Sequence, residues 1–208
     1  MANRLEDDIK AILLRLVDDI GFAEPAMVED EGRSPFRLMQ GVRSVIVHLT
    51  ALSHVEELYG KHWWVARYPH IKRVNELIEE HLEEAGFKCH SISPYSFSPR
   101  TLKAPISFKL AGVKAGLGFW GKNHLLIHPR FGPRVVLGVM LTDAPLSSIK
   151  SEVKEDCGGC TRCIEACPLG IISPSGELDR WKCYHRNRFL TSPCRFVCMS
   201  ECLIGKKI

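Results

Sequence analysis

Eight of the nine cysteines in this 208-residue chain fall between Cys157 and Cys202. The first four stand as Cys157-Gly-Gly-Cys160-Thr-Arg-Cys163-Ile-Glu-Ala-Cys167-Pro168. Three thiolates spaced two residues apart can wrap one corner of a 4Fe-4S cube, while the fourth, one helical turn further on, faces away toward a neighbouring cluster. A second set of ligands is therefore required. Cys183, Cys194, Cys198 and Cys202 supply it, bringing the total to the eight thiolates that two cubane clusters need.

By analogy with two-cluster ferredoxins, Cys157, Cys160, Cys163 and Cys202 are assigned to one cluster, and Cys167, Cys183, Cys194 and Cys198 to the other. Each cluster then borrows one thiolate from the other's segment. Two other uses of cysteine compete with this. Paired Cys-x-x-Cys elements also build tetrahedral zinc sites, but three cysteines at successive two-residue spacings closed by Cys-Pro suit a cube better. Disulfides would need an oxidising compartment, and nothing at the N-terminus resembles a signal peptide, so the expected location is cytoplasmic. Cys89 stands alone in an apolar stretch and reads as a small core residue.

Hydrophobic residues make up 45% of the chain and charged ones 25%, the composition of an ordinary globular protein of one large or two small domains. No stretch is long and apolar enough to span a membrane, and no membrane partner is expected. The formal charge of +4 counts every cysteine as neutral. Two loaded clusters would add about −2 apiece and bring the protein near neutrality. The basic residues are also dispersed, so a nucleic-acid partner is not expected.

The segment Arg4 to Ile20 repeats Leu5, Ile9, Ile12, Leu13, Leu16 and Ile20 at helical spacing, which predicts one amphipathic helix stopped by Gly21. A loop with Pro25, Gly32 and Pro35 follows. The β-branched run Ser44 to Leu49 predicts a buried strand, and Val74, Leu77, Ile78 and Leu82 predict a helix from about Pro69 to Ala85. A strand over Phe87 to Ile92, a loop over Ser93 to Pro99 and a short helix from Pro105 to Lys114 come next. Strands are expected at His124 to His128 and Arg134 to Thr142. This alternation reads as an α/β body over residues 1–150, with Ala144 to Glu155 as the linker into a cysteine-rich domain over 151–208.

Gly116-Leu-Gly118-Phe-Trp-Gly121 has the spacing of a dinucleotide fingerprint, which carries meaning only after a strand and before a helix. Here the predicted order is reversed. The glycines read instead as a tight turn where backbone closely approaches a bulky neighbour.

Taken together and in this order, Ala115-Gly-Leu-Gly-Phe-Trp-Gly-Lys-Asn123, Leu125-Leu-Ile, Phe131-Gly-Pro-Arg134, Leu137-Gly138, Leu141-Thr-Asp143 and the cysteine run resemble epoxyqueuosine reductases and the related reductive dehalogenases. The resemblance extends from about Ser44 to Ile172. It implies a nitroreductase-like α/β domain followed by a ferredoxin-like domain whose two 4Fe-4S clusters feed electrons to a base-off corrinoid, cobalamin. It also implies that Gly116, Gly118, Gly121, Lys122, Asn123, Phe131, Gly132 and Arg134 lie near that corrinoid. Surface solvation for Lys122 and Arg134, and a turn role for Asn123, are the alternatives.

Three departures shape the expected function. The family carries a catalytic Asp about a dozen residues before the glycine turn, where this chain has Leu102. Its members continue into helical repeats that grip tRNA, whereas this sequence ends six residues after Cys202. In the second cysteine set the family shows Cys-x-x-Cys-x-x-x-Cys-Pro, and this chain has Cys194-Arg-Phe-Val-Cys198-Met-Ser-Glu-Cys202-Leu. The expectation is a corrinoid-dependent reductase of an unknown small molecule, fed by an external low-potential electron donor. Its substrate would sit in a pocket from the Trp63 to His70 stretch and the Ser93 to Thr101 loop, with Tyr68, His70, Tyr95 and Lys103 as candidate proton donors. The alternative is an electron-transfer module that serves a partner redox protein and has no substrate of its own.

Overall fold

The computed structural model describes residues 2–52, 63–147, 153–189, 194 and 196–205. Helix α1 spans Ala2–Leu13 and ends well short of Ile20. Ile20 and Gly21 belong to strand β1 (Asp19–Ala23), which pairs antiparallel with β2 (Ser44–Ala51). The apolar spacing misled because Ile9 and Leu13 on the helix and Ile20 on the strand enter the same core from different elements. Gly21 is not a helix stop. A Cβ there would lie 2.2 Å from the carbonyl oxygen of Ala115, so glycine is what lets the sheet and a later helix touch.

The expected loop holds a 3₁₀ turn (Pro25–Val28) and the short helix α2 (Pro35–Leu38), each opened by proline. Helix α3 runs Trp63–Glu84 and starts earlier than predicted, so Pro69 lies inside it instead of in its first turn. Ile71, Val74, Ile78 and Leu82 are all buried, and that packing outweighs the lost backbone bond at one proline. After α3 come β3 (Cys89–Ile92), α4 (Phe108–Lys114), a two-strand hairpin of β4 (Phe119–Trp120) and β5 (Leu126–Ile127), and β6 (Val135–Thr142). Ser107 caps α4, its side chain accepting a bond from the Leu110 amide.

The main sheet has the order β1-β2-β6-β3 with every pairing antiparallel, so the mixed α/β reading holds without parallel strands. One face, with Ile46 and Met140, packs on α1 and α3; the other, with Val45, Val47, Leu49, Val139 and Leu141, packs on α4. Burial on both faces explains why β2 is apolar almost without interruption. Beyond β6, Ala144 and Leu146 are buried, so the expected linker begins as core; residues 148–152 of it lie outside the described residues. The cysteine-rich segment then carries α5 (Arg162–Glu165), α6 (Arg180–Phe189) and α7 (Val197–Ser200). Among the described residues no helix is long and apolar enough to cross a membrane.

One polar residue sits in the middle of this core. His48 is fully buried on β2, and its Nε2–H donates to Asn75 Oδ1 on α3 at 2.8 Å. Gly138 opposite leaves room for the ring, since a Cβ there would meet it at 2.0 Å. Burial is the main reason its pKa falls to about 4, against the pull of the Asn75 bond. A histidine with a depressed folded pKa leaves the unfolded chain holding the extra proton between about pH 6.5 and 4. Stability therefore falls as pH drops through that window. His48→Gln should flatten the stability-versus-pH curve there, removing a term on the order of 3 kcal/mol at its full extent, measured by urea unfolding at closely spaced pH values.

Candidate metal centre and adjoining cavity

Cys167, Cys183, Cys194 and Cys198 come from separate stretches of the C-terminal segment and line one cavity of about 240 Å³. Cys167 follows α5, Cys183 is on α6, and Cys198 is on α7. Ile172, Leu178 and Met199 complete an apolar wall. A protein interior leaves few voids larger than a water molecule, so one this size ringed by thiols has the character of a binding site. Cys198 shows the cost of leaving it thiolate-only: burial first, then Cys194 and Cys183, push its pKa up to about 12. A cationic core among these sulfurs would reverse that ordering and release protons on binding.

The remaining four thiols form a second group beside the first. Burial and then Cys157 and Cys160 raise the pKa of Cys163, with Cys202 a further contributor. Cys202 is raised by burial, with Arg134 pulling the other way and Cys157 and Cys160 adding to the rise. Cys160 is exposed while Cys163 is buried, so this group reaches the surface. Among the described residues no two cysteines form a disulfide. Among the described residues no three His, Cys, Asp or Glu side chains converge closely enough to hold a single metal ion.

The residues expected near a corrinoid make their hydrogen bonds to this cysteine-rich segment. Lys122 donates through Nζ to the carbonyls of Gly158 (2.7 Å) and Cys160 (3.0 Å), and its backbone N–H points at Cys157 Sγ at 3.5 Å. Asn123 Nδ2 donates to the Cys198 carbonyl at 3.1 Å, while its Oδ1 accepts from the Leu125 amide. Arg134 is buried, and its guanidinium donates to the carbonyls of Met199 (3.1 Å), Cys202 (3.2 Å) and Ile204. Gly132, at φ 61°, lies where a Cβ would fall 2.0 Å from the Ile204 carbonyl oxygen. The Phe131 to Arg134 loop thus seats the C-terminal end of the segment by direct backbone approach.

The glycine turn follows helix α4 and leads into a hairpin, so it lacks the strand-turn-helix order of a dinucleotide site. Gly116 has φ 72°; Gly118 and Gly121 both pack against Ile127, the bulky neighbour that the tight turn anticipated. His128, which no motif singled out, organises the next loop. Its Nδ1 accepts from the amides of Arg130 (3.1 Å) and Phe131 (3.3 Å), its Nε2 meets Asp19 Oδ2 at 3.1 Å, and the Phe131 ring stacks on it at 4.8 Å.

A larger cavity of about 540 Å³ adjoins the thiol-lined one and shares Lys109 and Cys183 with it. Leu102, Lys103, Trp120, His124, Arg180 and Tyr184 are among its walls. Leu102, standing where the family's Asp would be, has a left-handed backbone at φ 52°, an unusual state for a non-glycine residue. Of the four candidate proton donors only Lys103 lines this cavity, and it is ion-paired with Glu31. Tyr68 and Tyr95 meet edge to face at 4.9 Å. Among the described residues His70 Nε2 is buried with no hydrogen-bond partner, and His70 bears electrostatically on His48. The side chains of Trp63 to Arg67 lie outside the described residues.

Lys109 is the residue that sequence reading passed over. It sits on α4, where helical spacing gives no hint of function, yet its Nζ donates to the His124 carbonyl at 2.5 Å and lies 6.0 Å from the Trp120 ring centroid. Burial, then the nearby positive charge of Arg180, lowers its pKa to about 8, with Cys183 and Cys198 opposing. The same cations, after burial, lower that of His124. His124 directly follows Lys122-Asn123, the one available signal for it.

No family model matches the chain. The chain is 42% identical over 92 residues to the epoxyqueuosine reductase of Bacillus cereus, an alignment covering 44% of this chain and 23% of the relative. It is 30% identical over 165 residues to that of Leadbetterella byssophila, covering 74% and 51%. The chain is homologous to the epoxyqueuosine reductases. It spans about half or less of the length of these relatives. The fold agrees: epoxyqueuosine reductase from Bacillus subtilis superposes with a TM-score of 0.73 at 19% identity, covering 99% of this chain and 66% of that one. A catabolic reductive dehalogenase in complex with 3-bromo-4-hydroxybenzoic acid gives 0.74 at 22%, covering 96% and 31%.

Replacing Arg134 tests whether this homologue's cysteine segment hangs on that side chain. Arg134→Met removes donors from three carbonyls and should cost about 2–4 kcal/mol. Limited proteolysis should then cut within residues 153–205 well before the sheet, and bound iron should fall in step.

Proposed function

We propose that the chain is an iron-sulfur oxidoreductase with two 4Fe-4S clusters, one on Cys157, Cys160, Cys163 and Cys202, the other on Cys167, Cys183, Cys194 and Cys198. In this reading residues 1–150 form a nitroreductase-like domain and 151–208 a ferredoxin-like one. The observation that supports it is one cavity whose lining includes Cys167, Cys183, Cys194 and Cys198, the set that the ferredoxin analogy assigns to one cluster. The thiols fit a cluster in number and in the void they enclose, and the N–H of Lys122 supplies a hydrogen bond to one sulfur of the outer set.

The surface position of Cys160 makes the first cluster the entry point for an external donor of low potential. Electrons would pass inward to the second cluster and leave it on the side of Cys183, which faces the larger cavity. That cavity is the place for an acceptor. A reductive dehalogenase of the same fold performs B12-dependent dehalogenation, and cobalamin is the acceptor we propose here. When bound, it would supply a centre able to pass electrons to a small substrate, with Lys103, Lys109, Trp120 and His124 at its edge. Lys103 would hold a proton for the reduced product, a duty that Leu102 cannot serve.

A second reading follows from Leu102 itself: without an acid at that place the chain could act as an electron carrier for a partner redox protein. Anaerobic reconstitution with iron and sulfide, followed by cobalamin titration under reducing conditions, separates the two. The reductase reading predicts a base-off shift of the corrin absorbance; an unchanged spectrum at saturating protein leaves the carrier. Cys160→Ala should lower bound iron by about half, because only one of two clusters loses a ligand. Full retention of iron in that variant contradicts the ligand assignment.

A further inference from the structure

The walls of the larger cavity carry Arg33, Lys103, Lys109 and Arg180 together with His124, and among the described residues no Asp or Glu. Two of these cations are answered from behind: Arg33 by Asp30, with Nε at 2.5 Å from Oδ1, and Lys103 by Glu31. The other two are not answered by a carboxylate in the same way. Among the described residues, Lys109 donates to the neutral carbonyl of His124, and Arg180 reaches the carbonyl of Thr101 at 3.5 Å. Two positive side chains thus line one partly enclosed space with aromatic and apolar walls from Trp120, Leu126 and Leu137. Lys109 is half-buried at this wall and Arg180 stands at its exposed rim; like charges on one cavity repel, and an anion between them would offset that cost.

We infer that this cavity binds an anionic group, a carboxylate or phosphate borne on a flat or apolar body, through Lys109 and Arg180. The inference deepens the proposed reductase by naming the charge of what it takes. The anion could belong to the substrate or to the phosphate-bearing tail of a corrinoid, and both present the same chemistry to the same two side chains. Trp120, Leu126 and Leu137 would receive the apolar body. Binding in this cavity needs only the folded chain, so it can be measured whether or not the redox reading stands.

The test is calorimetric titration of the anaerobically purified full chain, with iron content determined on the same sample. Benzoate is compared with its neutral counterpart benzamide, and cobalamin with cobinamide, which keeps the corrin ring but lacks the phosphate-bearing tail. Lys109→Met and Arg180→Gln are each expected to weaken the anionic partner about tenfold while leaving the neutral one unchanged. Loss confined to benzoate assigns the anion to the substrate, and loss confined to cobalamin assigns it to the cofactor. Arg180 is at the surface, so Arg180→Gln remains informative if Lys109→Met fails to fold. Benzamide binding as tightly as benzoate, with cobinamide equal to cobalamin, overturns the inference. So does a Lys109→Met protein that shifts only cluster potential, since the lysine would then be a countercharge for the sulfurs alone.

Discussion

The arrangement depends on three side chains of the α/β body holding the backbone of a segment too rich in cysteine to hold itself. Arg134, Lys122 and Asn123 all donate to carbonyls of that segment, at Gly158, Cys160, Cys198, Met199, Cys202 and Ile204. Short helices such as α5 and α7, of four residues each, have too few internal bonds to stand alone. Charged donors onto fixed carbonyls give the geometry that local propensity cannot, at roughly twice the strength of neutral bonds.

That attachment also sets how the thiols are grouped. Because Asn123 and Arg134 fix both ends of α7, Cys198 faces Cys167, Cys183 and Cys194 across one void, while Cys202 turns back toward Cys157 and Cys160. The interleaving proposed by analogy with ferredoxins would rest on these contacts with the body of the protein. Cys183 lies at the wall between that void and the larger cavity, and Lys109 stands at the same wall. Thiol set, cation and cavity form a sequence in space that no stretch of the chain carries in order.

Much of this was legible in the sequence, and the misses have physical reasons. Strand β2 was readable because burial on both faces favours a β-branched and apolar run, interrupted only by Ser44, His48 and Thr50. The cysteine spacing drew attention to the C-terminal segment, where Cys167, Cys183, Cys194 and Cys198 line one cavity; the partition into two clusters stays a proposal. The end of α1 was not, since Ile20 continues the helix's apolar spacing while serving a strand. Lys122, Asn123 and Arg134 were expected beside a corrinoid, whereas their hydrogen bonds go to carbonyls of the cysteine segment tens of residues away, which only folding pairs with them. Lys109 escaped because a lysine on a short helix normally points to water, and here the cysteine segment closes over it.

The central claim is that these eight thiols hold two iron-sulfur cubes. Iron and acid-labile sulfide, quantified with Mössbauer spectroscopy on protein purified without oxygen, test it most directly. The account predicts about eight irons and eight sulfides per chain in cubane environments. One or two zinc ions with no sulfide, or full iron and sulfide retained after removal of Cys167 or Cys183, would contradict it.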